Sequence, residues 1–144
     1  MPLPSRLQLQ VVCADRALVN ESVDEVQIPG AEGCFGVLPG HTPLLTTLQV
    51  GELWFRQGDD RCYVAVAFGF AEILPDRVTI LAQIAERAEE IDVDRAEEAA
   101  RRSRDRLTRA PVELDFERAR VSLMKSLIRL QVASKIHVRS KAGL

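Results

Sequence analysis

Residues 78–109 read VTILAQIAERAEEIDVDRAEEAARRSRDRLTR, and the residue pattern changes within this stretch near Ala85. The first part is rich in aliphatic residues, whereas Asp92–Arg109 contains no glycine or proline and is dominated by alanine and arginine. Asp92 is a good N-cap, and Asp94 falls in the first turn, where an acidic side chain suits the helix dipole. The stretch therefore predicts that β-structure ends here and helical structure begins.

The part of the chain before this stretch has the pattern of short strands. Leu7, Leu9 and Val11 alternate with the residues between them, which is the period of a strand. Strand-like runs flank the turn sequences 57–60 (QGDD) and 75–77 (PDR), and these predict two hairpins. The predicted fold class is α+β: an antiparallel β-sandwich over residues 1–86, followed by an antiparallel two-helix hairpin over residues 87–144.

Two helices are predicted after the sandwich, separated by Pro111, with Asp115 as the candidate N-cap of the second. The stripe of the first helix consists mostly of small residues: Val93, Ala96, Ala100, Ser103, Leu107 and Ala110. The stripe of the second contains larger ones: Phe116, Ala119, Leu123, Leu127, Leu130 and Ser134, widened by Val121, Met124 and Ile128. Because a thin alanine seam buries little area, we expect a hairpin of marginal stability that can move.

The composition of the 144 residues fits a small folded protein. Apolar residues make up 47%, which is enough for a core, and the net charge of −2 argues against nucleic acid as the main partner. Cys13, Cys34 and Cys62 form no disulfide pattern, and we expect reduced, mostly buried thiols. No targeting segment is expected, and the uncharged stretch 33–51 contains prolines and glycines that exclude a membrane helix. Any membrane association is expected to occur through a partner.

Residues 32–46 read EGCFGVLPGHTPLLT and form the longest motif in the chain. They resemble the E-G-x-x-G-x-x-P-G-H-x-P-L-L-T signature of the epsilon subunits of F-type ATP synthases. Residues 91–96 (IDVDRA) fit the I/L-D-x-x-R-A motif of nucleotide-sensing members of that family, and residues 68–73 and 78–82 are similar to its last sandwich strands. The resemblance extends from about Leu7 to Ile136.

The resemblance implies a rotor subunit that has no catalytic residues of its own. The family's sandwich lies beside the gamma subunit and on the ring of c subunits, at the cytoplasmic face of the inner membrane. Its hairpin either folds down or extends towards the catalytic beta and alpha subunits, where it blocks ATP hydrolysis. The implied docking loop contains Gly33, Cys34, Gly36, Pro39, Gly40 and His41. A stiff, uncharged loop suits docking, although glycine and proline can also simply shape a tight connection between strands.

The resemblance also implies a regulatory ATP site, and no other cofactor is required. The matching positions are Glu86, Ile91, Asp92, Arg95, Ala96, Arg102, Lys125 and Arg129. Arg95 and Arg102 are seven residues apart, so they share a helix face about 10 Å apart, and Lys125 and Arg129 share a face of the second helix. Lys125 stands where nucleotide-sensing relatives often carry arginine, whose planar fork holds phosphate at two points. Alternatively, Asp92 is only a helix cap and the arginines only pair with neighbouring acids.

Two other classes of protein are compatible with parts of the chain. One is a free-standing adaptor that binds one partner through the sandwich and another through the hairpin. The other is a small enzyme that uses His41. The only other histidine is His137, and no nucleophile or phosphate-loop motif occurs, so we expect neither a catalytic residue nor a metal site. From Arg118 onward the chain has seven basic residues and no acid, which predicts either a cationic arm or a solvated helix face.

Overall fold

The computed structural model describes residues 3–109 and 113–142, with only the backbone described for Leu114 and for residues 137–142. It divides into two compact units between Arg87 and Ala88. The strands of the first unit are β1 Leu7–Cys13, β2 Arg16–Val23, β3 Glu25–Gly30, β4 Gly33–Val37, β5 Leu44–Leu48, β6 Gly51–Gln57, β7 Asp60–Ile73 and β8 Arg77–Arg87. The second unit contains a 3₁₀ turn, Ala88–Glu90, and the helices α1 Val93–Arg109 and α2 Glu113–Ala142. This order confirms the predicted sandwich and the predicted pair of helices.

The strands pair in the order β2-β1-β8-β7-β5-β3-β4, and β6 pairs with both β3 and β7. Both predicted hairpins are present, as the antiparallel pairs β6–β7 and β7–β8. Among the strand pairs that the structure describes, β1 and β8 are parallel, with Leu9 opposite Val78. Residue alternation could not predict this parallel pair, because side chains alternate with the same period in parallel and antiparallel strands.

Strand β7 changes its pairing partner at Phe68 and Gly69, from β6 before these residues to β5 after them. Val66 pairs with Gly51 of β6, whereas Gly69 pairs with Leu48 of β5. Phe68 and Gly69 both have positive φ, at 59° and 121°. A Cβ atom at Gly69 would lie 2.0 Å from the Leu81 carbonyl oxygen, so this position requires glycine. One long strand can therefore pair with β6 over its first part and with β5 over its second part.

The core of the sandwich follows the predicted alternation. Leu7, Leu9 and Val11 are fully buried, and they join a cluster dominated by valine, leucine and isoleucine, with Phe55 as its largest member. Cys13 and Cys62 pack only partly against this cluster, and Cys34 is exposed. The expectation of mostly buried cysteines is therefore wrong for Cys34, which lies on the exposed strand β4.

A hydrogen bond and two ion pairs of the Asp24 carboxylate lie beside the turn between β6 and β7. Asp24 Oδ2 accepts a hydrogen bond from the Gly58 N–H at 2.7 Å, and Asp24 Oδ1 lies 3.4 Å from Arg6 Nε. Arg56 Nη1 lies 3.8 Å from Asp24 Oδ2. The Gly58 hydrogen bond, followed by the two guanidinium charges, holds the pKa of Asp24 below its ordinary value, against the opposing effect of desolvation. This network links the segment between β2 and β3 to the tip of the β6–β7 hairpin.

Arg87, the last residue of the sandwich unit, is held by strand β2. Its Nε and Nη2 atoms donate to the Leu18 carbonyl oxygen at 3.2 Å and 3.1 Å, and Nη2 lies 3.2 Å from Glu21 Oε1. Glu21 Oε2 also accepts a hydrogen bond from Gln57 Nε2 at 3.0 Å. The ends of β8 and β6 are therefore both linked to β2 through Glu21.

The helical unit confirms part of the predicted seam and corrects the rest. Asp92 caps α1, because its Oδ1 accepts the Arg95 N–H at 3.1 Å. The predicted members Ala96, Ala100 and Ser103 are buried, whereas Val93 is exposed. Leu107 is partly buried, and Ala110 and Pro111 lie outside the described residues.

In α2 the buried seam agrees with the predicted stripe at Ala119 and departs from it at other positions. The described buried residues are Ala119, Ser126 and Val132. The predicted members Phe116 and Leu127 are 44% and 40% exposed, and Ser134 is exposed. Small side chains on α1 allow the backbones to approach closely, and this favours small residues on α2 as well. Helix α2 begins at Glu113, so the predicted cap Asp115 lies in its first turn instead.

Candidate nucleotide site and docking surfaces

The predicted docking loop is not a loop over its whole length. Gly33, Cys34 and Gly36 belong to β4, which pairs with β3 in a hairpin, and Cys34 lies opposite Pro29. β4 stands at one end of the strand order, so its outer edge has no neighbour in that order. The expectation of a single irregular loop is corrected to an exposed edge strand followed by a turn. Gly33 has a φ of 123°, which a side chain would disfavour.

The turn after β4 is fixed by main-chain hydrogen bonds. The Gly40 N–H donates to the Pro75 carbonyl oxygen at 2.7 Å, and the His41 N–H donates to the Leu38 carbonyl oxygen at 3.2 Å. His41 Nδ1 lies 2.6 Å from the Thr42 carbonyl oxygen and donates to it, because a carbonyl oxygen can only accept. Pro39 is partly buried. His41 thus takes a structural contact within the turn.

A row of exposed apolar residues crosses three adjacent strands of the sandwich. Phe70 of β7 lies directly opposite Leu81 of β8, and they are 54% and 52% exposed. Thr47 of β5 lies opposite Phe70, and Leu45 follows two residues away on the same face with 71% of its side chain exposed. We name Leu45, Phe70 and Leu81 the apolar row. The sequence patterns described above did not predict the row, although alternation from buried Ala71 and Ile80 could have placed Phe70 and Leu81 on the outer face.

The predicted nucleotide residues of α1 lie near its N-terminus and on its exposed face. Arg95 and Arg102 are exposed, and Arg102 Nη1 pairs with Glu98 Oε1 at 3.3 Å, one turn away. Ile91 and Ala96 are buried. An adenine that touches the Ala96 methyl group would therefore require a local rearrangement.

The predicted residues of α2 lie at the same level of the hairpin as those of α1. Ser103 Oγ donates to Ser122 Oγ at 2.9 Å, which joins the two helices at one point. The 3₁₀ turn before α1 also contacts α2, so α2 runs back along α1. Seven residues back from Ser103 is Ala96, and seven residues on from Ser122 is Arg129, so these residues are about level. In the same way, Ala100 lies three residues before Ser103 and Lys125 lies three residues after Ser122, so Lys125 is about level with Ala100.

The four cationic side chains predicted to bind the nucleotide therefore lie within a short length of the hairpin axis. Arg95 and Arg129 lie at one level, and Arg102 lies within about one turn of the level of Lys125. Lys125 and Arg129 are partly buried and take part in polar contacts, whereas Arg95 and Arg102 are exposed. A chain segment with this distribution can hold an anion if the exposed arginines turn towards it.

Glu86, the remaining predicted residue, belongs to the sandwich unit. It lies in β8 opposite Ala65 and lines an open cleft of about 430 Å³. Cys13, Asp15 and Arg16 also line this cleft.

Residues 3–109 and 113–142 contain neither a candidate membrane-spanning helix nor a candidate metal cluster. No helix in these ranges is long and apolar enough to cross a membrane. No group of three or more His, Cys, Asp or Glu side chains in the same ranges could hold a metal ion.

A sandwich followed by a helical hairpin defines the class to which this chain belongs, and two family models match that architecture. Residues 6–88 match the model described as "ATP synthase, Delta/Epsilon chain, beta-sandwich domain". Residues 89–134 match the model described as "ATP synthase, Delta/Epsilon chain, long alpha-helix domain". The ATP synthase epsilon chain of Syntrophobacter fumaroxidans is 46% identical over 133 residues, 92% of this chain and 99% of that protein. The chain belongs to the epsilon branch of the ATP synthase delta/epsilon chain family.

Further relatives and solved structures agree with this assignment. ATP synthase epsilon chain 2 of Syntrophotalea carbinolica is 42% identical, over 92% of this chain and 97% of that protein. A chain of the Euglena gracilis mitochondrial ATP synthase, solved with its c-ring, has a TM-score of 0.76 and 25% identity, covering 86% of this chain and 79% of its own. A chain from the central stalk and c-ring of the Tetrahymena thermophila mitochondrial enzyme has a TM-score of 0.56 and 12% identity, over 90% and 95%. The Tetrahymena likeness supports the fold alone.

Proposed function

We propose that this chain is a non-catalytic rotor subunit of a proton-translocating F-type ATP synthase. Its sandwich docks on the gamma subunit and the c-subunit ring, and its hairpin inhibits ATP hydrolysis by the beta and alpha subunits. The complex holds it peripherally at the cytoplasmic face of the inner membrane. The observation that carries this proposal is the family membership, since relatives more than 40% identical over nine-tenths of the chain are epsilon chains.

Two surfaces of the sandwich unit support the docking role. The apolar row exposes three large side chains on neighbouring strands, and contiguous exposed apolar surface is typical of protein interfaces. The segment Gly33–His41 adds an uncharged edge strand and a turn held by Gly40 and His41. We assign the apolar row to the gamma subunit and the edge strand with its turn to the c-ring. An edge strand with exposed main-chain groups can itself pair with a partner.

The composition of the hairpin supports the inhibitory role. Apart from Val132, its buried seam consists of alanine and serine, so separating the helices exposes little apolar area per residue. Phe116 and Leu127 of α2 remain substantially exposed, which leaves apolar surface for a partner. Arg118, Lys125 and later cations give α2 a positive charge that would favour an acidic partner surface. A hairpin with these properties can leave its folded state and bind elsewhere at modest free-energy cost.

We further propose that ATP binds the folded hairpin and gates the inhibition. The adenine amino group would donate to Asp92, whose capping bond uses Oδ1 and leaves Oδ2 as a second acceptor. Arg95, Arg102, Lys125 and Arg129 would contact the phosphates, and Ile91 and Ala96 would lie near the nucleoside. Because Lys125 is a point charge where an arginine could bind phosphate at two points, we expect weak binding. No other cofactor is required.

Reconstitution tests the proposed role directly. An ATP synthase complex assembled without this chain should hydrolyse ATP faster than one assembled with it, and adding the purified chain should restore the slower rate. The chain should be recovered with gamma and the c-ring after gentle dissociation. Recovery as a free-standing protein, with no effect on hydrolysis, would favour the adaptor instead.

A further inference from the structure

The hydrogen bond between Ser103 and Ser122 is a directional contact in a seam of small residues. Ser103 is fully buried, and its Oγ donates to Ser122 Oγ at 2.9 Å across the two helices. Ser126, the other buried serine, donates instead to the Ser122 carbonyl oxygen of its own helix at 3.0 Å. In the described part of the two helices, this bond joins a side chain of α1 to a side chain of α2.

The alanines of the seam do little to select one helix register. Ala96, Ala100 and Ala119 present methyl groups, and a methyl group packs almost equally well against a neighbour one turn away. A buried hydroxyl differs, because it is costly when unpaired and is satisfied only where its partner lies within about 3 Å. Single polar groups in apolar helix seams are known to specify register in this way.

The register determines which cations share a level. With Ser103 opposite Ser122, Arg129 is level with Ala96 and next to the level of Arg95. A slip of one helical turn would move α2 by about 5.4 Å along α1, and Arg129 would then leave that level. A displacement of that size exceeds the reach over which a charged hydrogen bond to a phosphate oxygen survives.

We propose that Ser103 and Ser122 are positioning residues for the nucleotide site, because their hydrogen bond sets the register that brings Arg129 and Lys125 to the level of Arg95 and Arg102. This inference rests on the proposed ATP site. Neither serine need touch the nucleotide. The pair gives the folded hairpin a specific register. The alanines around it bury little apolar area, so the two helices can still separate.

The test compares four full-length variants with the wild type: Ser103→Ala, Ser122→Ala, the double variant, and Ser126→Ala as the matched control. Hydrogen exchange of α1 and α2 amides without ATP reports helix association, and titration with ATP gives the Kd. Each single variant should lose affinity, because the bond that sets the register is gone. Ser122→Ala should lose more protection than Ser103→Ala, since it leaves the fully buried Ser103 hydroxyl without its partner. The double variant should regain protection yet bind ATP at least about fivefold more weakly, because its register is no longer unique. Ser126→Ala should leave the Kd within about twofold of wild type, since its bond lies inside one helix.

A distance measurement tests the register independently of ATP. Spin labels at Arg101 and Glu117, both exposed, report the axial offset of the helices when Cys13, Cys34 and Cys62 are replaced by serine. The wild type should give one distance population, and the double variant should add a second, shifted by several ångströms. A double variant with one unshifted population and wild-type affinity would overturn the proposal. If the wild type binds no ATP, the proposed nucleotide site fails, while the distance measurement still decides the register.

Discussion

Phe70 and Leu81 face each other across the β7–β8 strand pair, and each has about half of its side chain exposed. An aspartate at either position should weaken docking of the chain on a gamma and c-ring complex by at least about tenfold, because a buried interface charge without a partner is costly. Ala17→Asp, on the exposed face of β2, adds the same charge away from the row. Isothermal titration or pull-down would measure the Kd. If Ala17→Asp weakens binding as much as Phe70→Asp, the row is not the interface.

Removing the chain after Glu90 should leave a folded sandwich that still assembles. The sandwich unit ends at Arg87 and has its own buried core, so it does not depend on α1 and α2 for burial of its strands. We expect the truncated complex to hydrolyse ATP severalfold faster at unchanged subunit content, measured by steady-state assay and by gel. Unchanged hydrolysis under all conditions would show that the hairpin is not an inhibitor. Failure to assemble would show that the helices are structural.

ATP should stabilise the isolated chain, and Arg95→Ala should abolish that effect. Arg95 is exposed at the N-terminal end of α1, level with Arg129 of α2. Ligand at 100 times its Kd stabilises by about 2.7 kcal/mol, which should raise the Tm by roughly 5 °C. Arg101→Ala removes an equal charge from the same helix outside the proposed site and should keep the shift. Equal losses in both variants would indicate general electrostatic attraction rather than a site.

Asp24 should make the sandwich sensitive to acid. The Gly58 N–H, and then Arg6 and Arg56, favour the ionised carboxylate, so its folded-state pKa lies below the unfolded value of about 3.9. The resulting stabilisation is present above the unfolded pKa and is lost as the pH falls through the folded pKa. Asp24→Asn should therefore lower the Tm at neutral pH but not at a pH below both values. Asp76→Asn, in another exposed turn, serves as control and should change the Tm little. A deficit of Asp24→Asn that persists unchanged in strong acid would contradict this account.

Cys34 should react readily in the free chain and slowly in the assembled enzyme. It is exposed on edge strand β4, within the segment that we assign to the c-ring. Replacing Cys13 and Cys62 by serine makes the labelling rate of a thiol reagent report this one position. A variant that carries its only cysteine at Ala17 instead should react equally in both states. Equal labelling of Cys34 before and after assembly would exclude this strand from the interface.

Local patterns predicted the elements that depend on local chemistry. The side chain of Asp92 caps the N-terminus of α1 by accepting a hydrogen bond from a main-chain N–H, as the sequence predicted. Residues 57–60 and 75–77 form turns between paired strands. Alternation was enough to place Leu7, Leu9 and Val11 in the core. These features are decided within a few residues of sequence, and a single sequence therefore contains the information for them.

Such local patterns could not predict contacts between residues that are far apart in the sequence. Of the predicted α2 stripe, Ala119 is buried as expected, whereas Phe116 and Leu127 are exposed and Ser126 and Val132 are buried in their place. The pairing of Phe70 with Leu81 depends on strand register, and the bond between Arg87 and Leu18 spans most of the sandwich sequence. The nucleotide positions came from the family resemblance, and ligand binding is the measurement that will test them.

The anchoring of Arg87 has a mechanical consequence if the subunit turns with the rotor as proposed. Its guanidinium group is tied to the Leu18 carbonyl and to Glu21, so the last residue of the sandwich resists a pull along the chain. A pulling force transmitted from the helices would therefore act on strand β2 through Arg87. It would not separate β8 from the sheet. The boundary between the two units follows directly, at Ala88, so the sandwich is suited to act as a stiff mount under load.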